Sequence, residues 1–325
     1  MPPSLVRRRA QRVLVLAAAV SVCGSTFAAT RRYDVGGFRL NMRCEGEGSP
    51  VVVLDAGAGD TLGTWDWVVP EVKKLTRVCA YDRAGLGRSD RGPVPRTSER
   101  IVAELRQLLE RARVRPPYVL VGHSFGGLNV RLYAARHPDE VAGLVLVDAT
   151  PEDYPAMENS LRSPGEREKL RTTLALAPLA YGDELASMPA SAESVRAAVV
   201  PKGLPVAVLS AAHRDEPEAF RAAWSTLQRR MADSFPSGHQ IIAEASDHYI
   251  QFDEPELVVR AIREMLAAAK EGPPQGVAPA APAARFATSL PAFSRSALKF
   301  GLTLNPKASA RLNETQASSS RPDIQ

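Results

Sequence analysis

Ser124 stands between two glycines in Gly122-His123-Ser124-Phe125-Gly126, directly after the apolar run at 118–121 and ahead of a segment with helical period. A serine hydroxyl is a poor nucleophile at neutral pH; covalent chemistry requires a general base beside it and a third group to orient that base. The spacing alone is weak evidence, because Gly and Ser are common residues. Its setting says more. Small residues at 122 and 126 let a sharp strand–turn–helix close, and that turn lifts the Ser124 hydroxyl above a sheet edge. The competing reading is a helix-capping serine in a glycine-rich turn.

The base must come from five histidines. His123 lies inside the pentapeptide, where its backbone matters more than its ring, and His137 precedes Pro138 at a helix end. His239 falls at the wrong end of the last strand. His213 follows a strand on the correct edge but precedes a further helix and strand. His248, in "ASDHYIQFDEPELV", follows the last strand and precedes the last helix, at the edge where a parallel sheet builds its site. The chemistry therefore points to Ser124 with His248. In a parallel α/β fold of this class the chain order is serine, acid, histidine, which restricts the orienting acid to residues 125–247 and leaves Asp148, ending "LVLVDA", and Asp215, in "SAAHRDEPEAF". Asp148 is favoured for its rigid place at a strand end, and Asp215 is the alternative. A tetrahedral intermediate also needs N–H donors for its oxyanion. Phe125 N–H, next to the serine, is one candidate; Ala58 N–H, in the loop "DAGAGDT", is the other.

These groups need a scaffold. Apolar runs at 49–57, 76–85, 116–124, 141–149, 204–212 and 239–246 show little alternation, as strands buried on both faces do. Helical periods fill 97–114, 128–137, 216–231 and 254–269; in the first, Ser98 is placed to cap a stripe of Ile101, Leu105, Leu108 and Leu109. This alternation predicts an α/β fold with a parallel sheet. Residues 31–46, alternating around Gly36-Gly37, predict an antiparallel hairpin at its edge. Residues 151–200 interrupt the rhythm with helical pieces and no strand, and read as a cap insertion. In it Leu161, Leu170, Leu174, Leu176, Leu179 and Tyr181 suggest an apolar ceiling over a pocket.

The chain's ends differ in kind. Arg7, Arg8, Arg9 and Arg12 precede an apolar run from Val13 to about Val22 and small residues at Ala28 and Ala29, so residues 1–29 read as a cleaved secretory signal. The run is too short for a retained span, which needs about 20 apolar residues. Residues 271–325, rich in Pro, Ala and Ser, read as a disordered tail. The formal net charge of +5 resides in these ends: four Arg without an acid at the start, and six basic against three acidic residues in the tail. Residues 30–270 are left slightly acidic, which gives nucleic acid no electrostatic footprint. The expected location is secreted or periplasmic, with no stable membrane span once the signal is removed and no metal site built from cysteines. Oligomeric state is left open.

The passages "VVVLDAGAGDT", "TRVCAYDRAGLGRSD", "YVLVGHSFGGLNVRLYAARHPDEVAGLVLVDA" and "DHYIQFDEPELVVRAIREML" occur in that order, and over residues 33–270 the chain resembles the α/β-hydrolase superfamily, in particular single-domain bacterial esterase and lipase-like hydrolases. The resemblance implies an eight-stranded, mostly parallel sheet flanked by helices, a small helical cap and catalysis without a cofactor. It carries nucleophile and base onto Ser124 and His248 and an oxyanion donor onto Phe125. The family's frequent His-Gly ahead of the oxyanion loop is here Ala56-Gly57. In that fold the strands bearing Cys44 and Cys79 are neighbours, which is compatible with a disulfide and equally with two buried thiols.

The resulting expectation is a secreted serine hydrolase acting on a small-molecule carboxylic ester through an acyl-enzyme on Ser124. Other acyl hydrolases or acyltransferases of the same fold (peptidase, thioesterase, carbon–carbon hydrolase) are the alternative, as is a binding protein that uses the pocket without turnover.

Overall fold

The computed structural model describes residues 30–271. The signal-like segment 1–29 and the tail beyond Glu271 lie outside the described residues.

Eight strands form one sheet: β1 (Arg31–Asp34), β2 (Arg39–Glu45), β3 (Val51–Asp55), β4 (Val78–Tyr81), β5 (Tyr118–His123), β6 (Val141–Val147), β7 (Val206–Ala211) and β8 (Gly238–Ala243). Their spatial order is β1-β2-β4-β3-β5-β6-β7-β8. β2 runs against both of its neighbours, and the pairs from β4 through β8 are parallel. The edge hairpin and the mostly parallel sheet are as the sequence led us to expect. In the β2–β4 register Cys44 stands opposite Cys79, and the two are joined by a disulfide.

The helices are α1 (Val69–Val72), α2 (Ser98–Arg111), α3 (Phe125–Arg136), α4 (Tyr154–Leu161), α5 (Pro164–Ala175), α6 (Leu179–Arg196), α7 (Glu218–Asp233), α8 (Ile250–Asp253) and α9 (Pro255–Glu271). The middle of the sheet is covered on both sides, so β3 to β7 are apolar on both faces, whereas the edge strands β1 and β8 are partly exposed. β3 sends Val51 and Val53 into the core shared with α2, α3 and α7, and Val52 and Leu54 into the one shared with α1 and α9. On α2, Ile101, Leu105, Leu108 and Leu109 are almost wholly buried, each burial stabilising by roughly 1.5–3 kcal/mol. The cap of this helix is Thr97 rather than Ser98: the Thr97 hydroxyl accepts from Arg100 N–H, while the Ser98 hydroxyl donates to Asn129.

The insertion between β6 and β7 folds as α4, α5 and α6. Its leucines do not form the expected ceiling. Leu161, Leu176 and Leu179 face solvent, Leu176 at 84% exposure, whereas Leu170 is buried and Leu174 and Tyr181 pack on the core.

Candidate active site

Because β3 and β5 to β8 are parallel, their carboxyl ends share one edge, and the candidate groups all come from it. Ser124 sits between β5 and α3 with φ 51° and ψ −120°, a conformation that costs a non-glycine residue on the order of 1–3 kcal/mol. Close packing holds it there. A Cβ on Gly122 would stand 2.6 Å from the Gly126 carbonyl oxygen, and one on Gly126 would stand 2.4 Å from that of Asp55. Helix α3 consequently begins at Phe125, three residues before its apolar period becomes legible at Leu128. Ser124 is half-buried, and its hydroxyl makes no hydrogen bond among the described residues. Catalytic hydrogen bonds often tighten only when substrate is bound.

A buried carboxylate follows the next strand. Ser124 N–H donates to Val147 O (3.1 Å) and Thr150 N–H donates to Ser124 O (2.9 Å), so the loop carrying Asp148 is laced to the elbow on both sides of that residue. Asp148 has a φ of 37° and is fully buried. Its carboxylate accepts from His248 Nδ1–H at 2.7 Å, Trp224 Nε1–H at 3.0 Å and Ala211 N–H at 3.3 Å. It also accepts from Arg214 Nη1, which stands 3.0 Å from His248 Nδ1. Burial works against the charged form, but Arg214, with His248 and Trp224 adding to it, prevails and holds Asp148 down to about 2. The structure thus brings His248 together with Asp148 and leaves Asp215 exposed in the loop after β7. From that loop the inward residue is Arg214, stacked 4.0 Å over Trp224 and held from behind by Glu216.

His248 lies between β8 and α8 with its side chain about a quarter exposed (24%). Its backbone carbonyl accepts from His123 Nε2–H at 2.9 Å, and the two rings are 4.7 Å apart. The His123 ring is therefore used as well, beyond the expectation that its backbone matters more than its ring. Burial, then the proximity of His248, keeps His123 well below the ordinary histidine value and hence neutral. With its proton on Nε2, His123 turns a bare Nδ1 toward Asp60 Oδ2, 3.7 Å away. Burial, reinforced by Glu184 and opposed by Arg83, raises Asp60 to about 7.

The two candidate backbone donors are both open. Phe125 N–H and Ala58 N–H have no hydrogen-bond acceptor among the described residues, as expected of an N–H in a first helical turn and of one in a tight loop. The loop that carries Ala58 crosses directly over the elbow, since the space a Gly126 Cβ would occupy is 2.6 Å from the Ala56 carbonyl oxygen. Among the described residues no group of three or more His, Cys, Asp or Glu is placed to hold a metal, and no helix is long and apolar enough to cross a membrane.

His213 and His239 are exposed, and His137 packs against Tyr133. The contacts of Arg214, Trp224 and Asp60 were not foreseen: an arginine amid acids reads as surface, and Trp224 reads as one more apolar residue of an amphipathic helix.

The sequence profile described as alpha/beta hydrolase fold matches residues 49–266. The chain belongs to the alpha/beta hydrolase family. A Bacillus subtilis (strain 168) relative, the uncharacterized protein YqjL, is 30% identical over 225 residues, covering 69% of this chain and 87% of that protein. The 2-(acetamidomethylene)succinate hydrolase of Mesorhizobium japonicum is 24% identical over 268 residues, with 73% and 95% covered. Other curated relatives are matched over only 15% to 38% of their own length. Among solved structures, the enol-lactonase from Burkholderia xenovorans LB400 shares the fold, with a TM-score of 0.54 at 21% identity and coverage of 73% of this chain and all (100%) of that one. The eight-stranded sheet flanked by helices is the alpha/beta hydrolase fold.

Proposed function

We propose that the chain is a serine hydrolase that cleaves a small or medium carboxylic ester, with Ser124 as nucleophile, His248 as base and Asp148 as the orienting acid. In this reading His248 Nε2 takes the Ser124 proton as Oγ attacks the ester carbonyl, and the oxyanion is met by Phe125 N–H and Ala58 N–H. His248 then returns the proton to the leaving alcohol, and water attacks the acyl-enzyme by the same route in reverse. Asp148 stays ionised throughout, holding the proton of the imidazole on Nδ1 and stabilising the imidazolium. The observation that carries the reading is the 2.7 Å His248–Asp148 hydrogen bond at the sheet edge where Ser124 is held at positive φ. A serine at this position argues against the aspartate-nucleophile hydrolases that share the fold. Secretion is part of the proposal, supported by the Cys44–Cys79 disulfide, a bond that persists in oxidising compartments.

A panel of p-nitrophenyl esters of increasing acyl length tests it. The expected result is turnover of the shorter esters by wild type, reduced by several orders of magnitude in Ser124→Ala. No turnover across the panel, or equal turnover by both proteins, would contradict it.

A further inference from the structure

We infer that Glu184, on helix α6 of the insertion, is a positioning residue for the oxyanion loop and acts through Arg83; the inference rests on the serine-hydrolase reading above. Arg83 is almost wholly buried and uses all five of its N–H donors. Nε donates to Glu184 Oε1 at 2.6 Å, and Nη2 donates to Glu184 Oε2 at 2.9 Å and to Gly57 O at 2.5 Å. Nη1 donates to Asp55 Oδ1 and Ala56 O, both at 2.7 Å. Glu184 in turn accepts from Gly59 N–H at 2.9 Å. The carbonyls of residues 56 and 57 and the N–H of residue 59 are thus each held by one buried ion pair. Between them stands Ala58, its own N–H left open.

The same helix fixes the loop a second way. Tyr181, one turn before Glu184, lies where a Cβ on Gly59 would be, with Cδ2 at 2.6 Å, and Gly59 has a φ of 76° that disfavours any other residue. A second line of bonds anchors α6: Ser98 N–H donates to Ser191 Oγ, Ser98 Oγ to Asn129 Oδ1, and Asn129 Nδ2 to Asp55 Oδ2. Both lines end at Asp55, at the tip of β3. Stability alone does not require such an arrangement, because a buried ion pair is often no more stable than an apolar replacement. What it supplies is direction. The donor and acceptor pattern fixes the path of residues 56–59, and helix α6, which packs on that loop, thereby sets the angle of the oxyanion donor.

Purified Glu184→Gln and Glu184→Ala, compared with wild type, test this. The readouts are kcat and KM on p-nitrophenyl acetate per serine titrated by a fluorophosphonate, together with inhibition by a trifluoromethyl ketone, whose tetrahedral adduct places an oxyanion in the hole. Losing one oxyanion donor outright costs about 10²–10³ in kcat, so loosening it predicts a fall of roughly 10–100-fold for the alanine variant and several-fold for glutamine, whose amide oxygen can still accept from Gly59. KM should stay within about twofold, and affinity for the ketone should fall in step with kcat. If the alanine variant does not fold, folded Glu184→Gln decides alone. Unchanged kcat and ketone affinity in a folded variant, or a loss confined to the number of titratable sites, would overturn the role of Glu184. Wild type inert to both ester and fluorophosphonate would instead overturn the serine-hydrolase reading, and the role of Glu184 with it.

Discussion

His248 Nδ1 lies 2.7 Å from Asp148 Oδ2, and that carboxylate belongs to the end of β6 rather than to the loop after β7. The place nearest the β7 end is taken by Arg214, which binds the same oxygen. The acid is thereby enclosed by a histidine, a tryptophan and an arginine. Asp148→Asn removes the charge and leaves the shape, so kcat should fall by about 10⁴, while Asp215→Asn should leave it unchanged. Steady-state kinetics of the two variants on one ester decides; equal small effects would contradict the assignment of Asp148.

Arg214 should make Asp148 resistant to acid. Asp148 is held below its ordinary value, so its ionised form stabilises the fold above about pH 4, and that contribution disappears as pH falls toward about 2. Arg214→Gln removes the main opposition to burial. Its urea midpoint should lie well below that of wild type at pH 7, and the gap should close near pH 2–3. A gap independent of pH would mean that Arg214 acts only by packing on Trp224.

Asp60 predicts the opposite dependence. Its value is raised to about 7, so the protonated folded form contributes stability that is complete below about pH 4 and is lost as pH rises through 7. His123, Arg83, Glu184 and Tyr249 face it. Asp60→Asn keeps the neutral shape at every pH. The midpoint of the variant relative to wild type should therefore rise between pH 5 and pH 8, as equilibrium unfolding at the two pH values would show.

The Cys44–Cys79 disulfide spans 35 residues of sequence. Closing a loop of that size stabilises by roughly 3–4 kcal/mol on a chain-entropy estimate. The double alanine variant should unfold at correspondingly lower urea with the site intact, so turnover at 25 °C should be retained. Loss of turnover in a folded variant would show that the edge hairpin reaches the chemistry.

Much of the frame was legible because β3 to β7 are buried on both faces and carry unbroken apolar runs; each run from 49–57 to 204–212 contains a strand, and the run at 239–246 overlaps β8. The acid was ambiguous for a physical reason. Sequence places both Asp148 and Asp215 at the right edge of the sheet, but which of them turns inward depends on a φ of 37° at Asp148 and on Arg214 filling the adjacent space. The Arg83–Glu184 pair was illegible because its partners are 101 residues apart and each alone reads as surface charge. Leu176 and Leu179 misled in the other direction: their apolar side chains suggested a ceiling over a pocket, and both are exposed to water.

The most direct measurement is the intact mass of wild type and Ser124→Ala after treatment with a fluorophosphonate. An armed serine predicts one adduct on wild type, mapped to the peptide containing Ser124, and none on the variant. A folded wild type that takes no adduct, or a Ser124→Ala variant labelled as fully as wild type, would contradict the account.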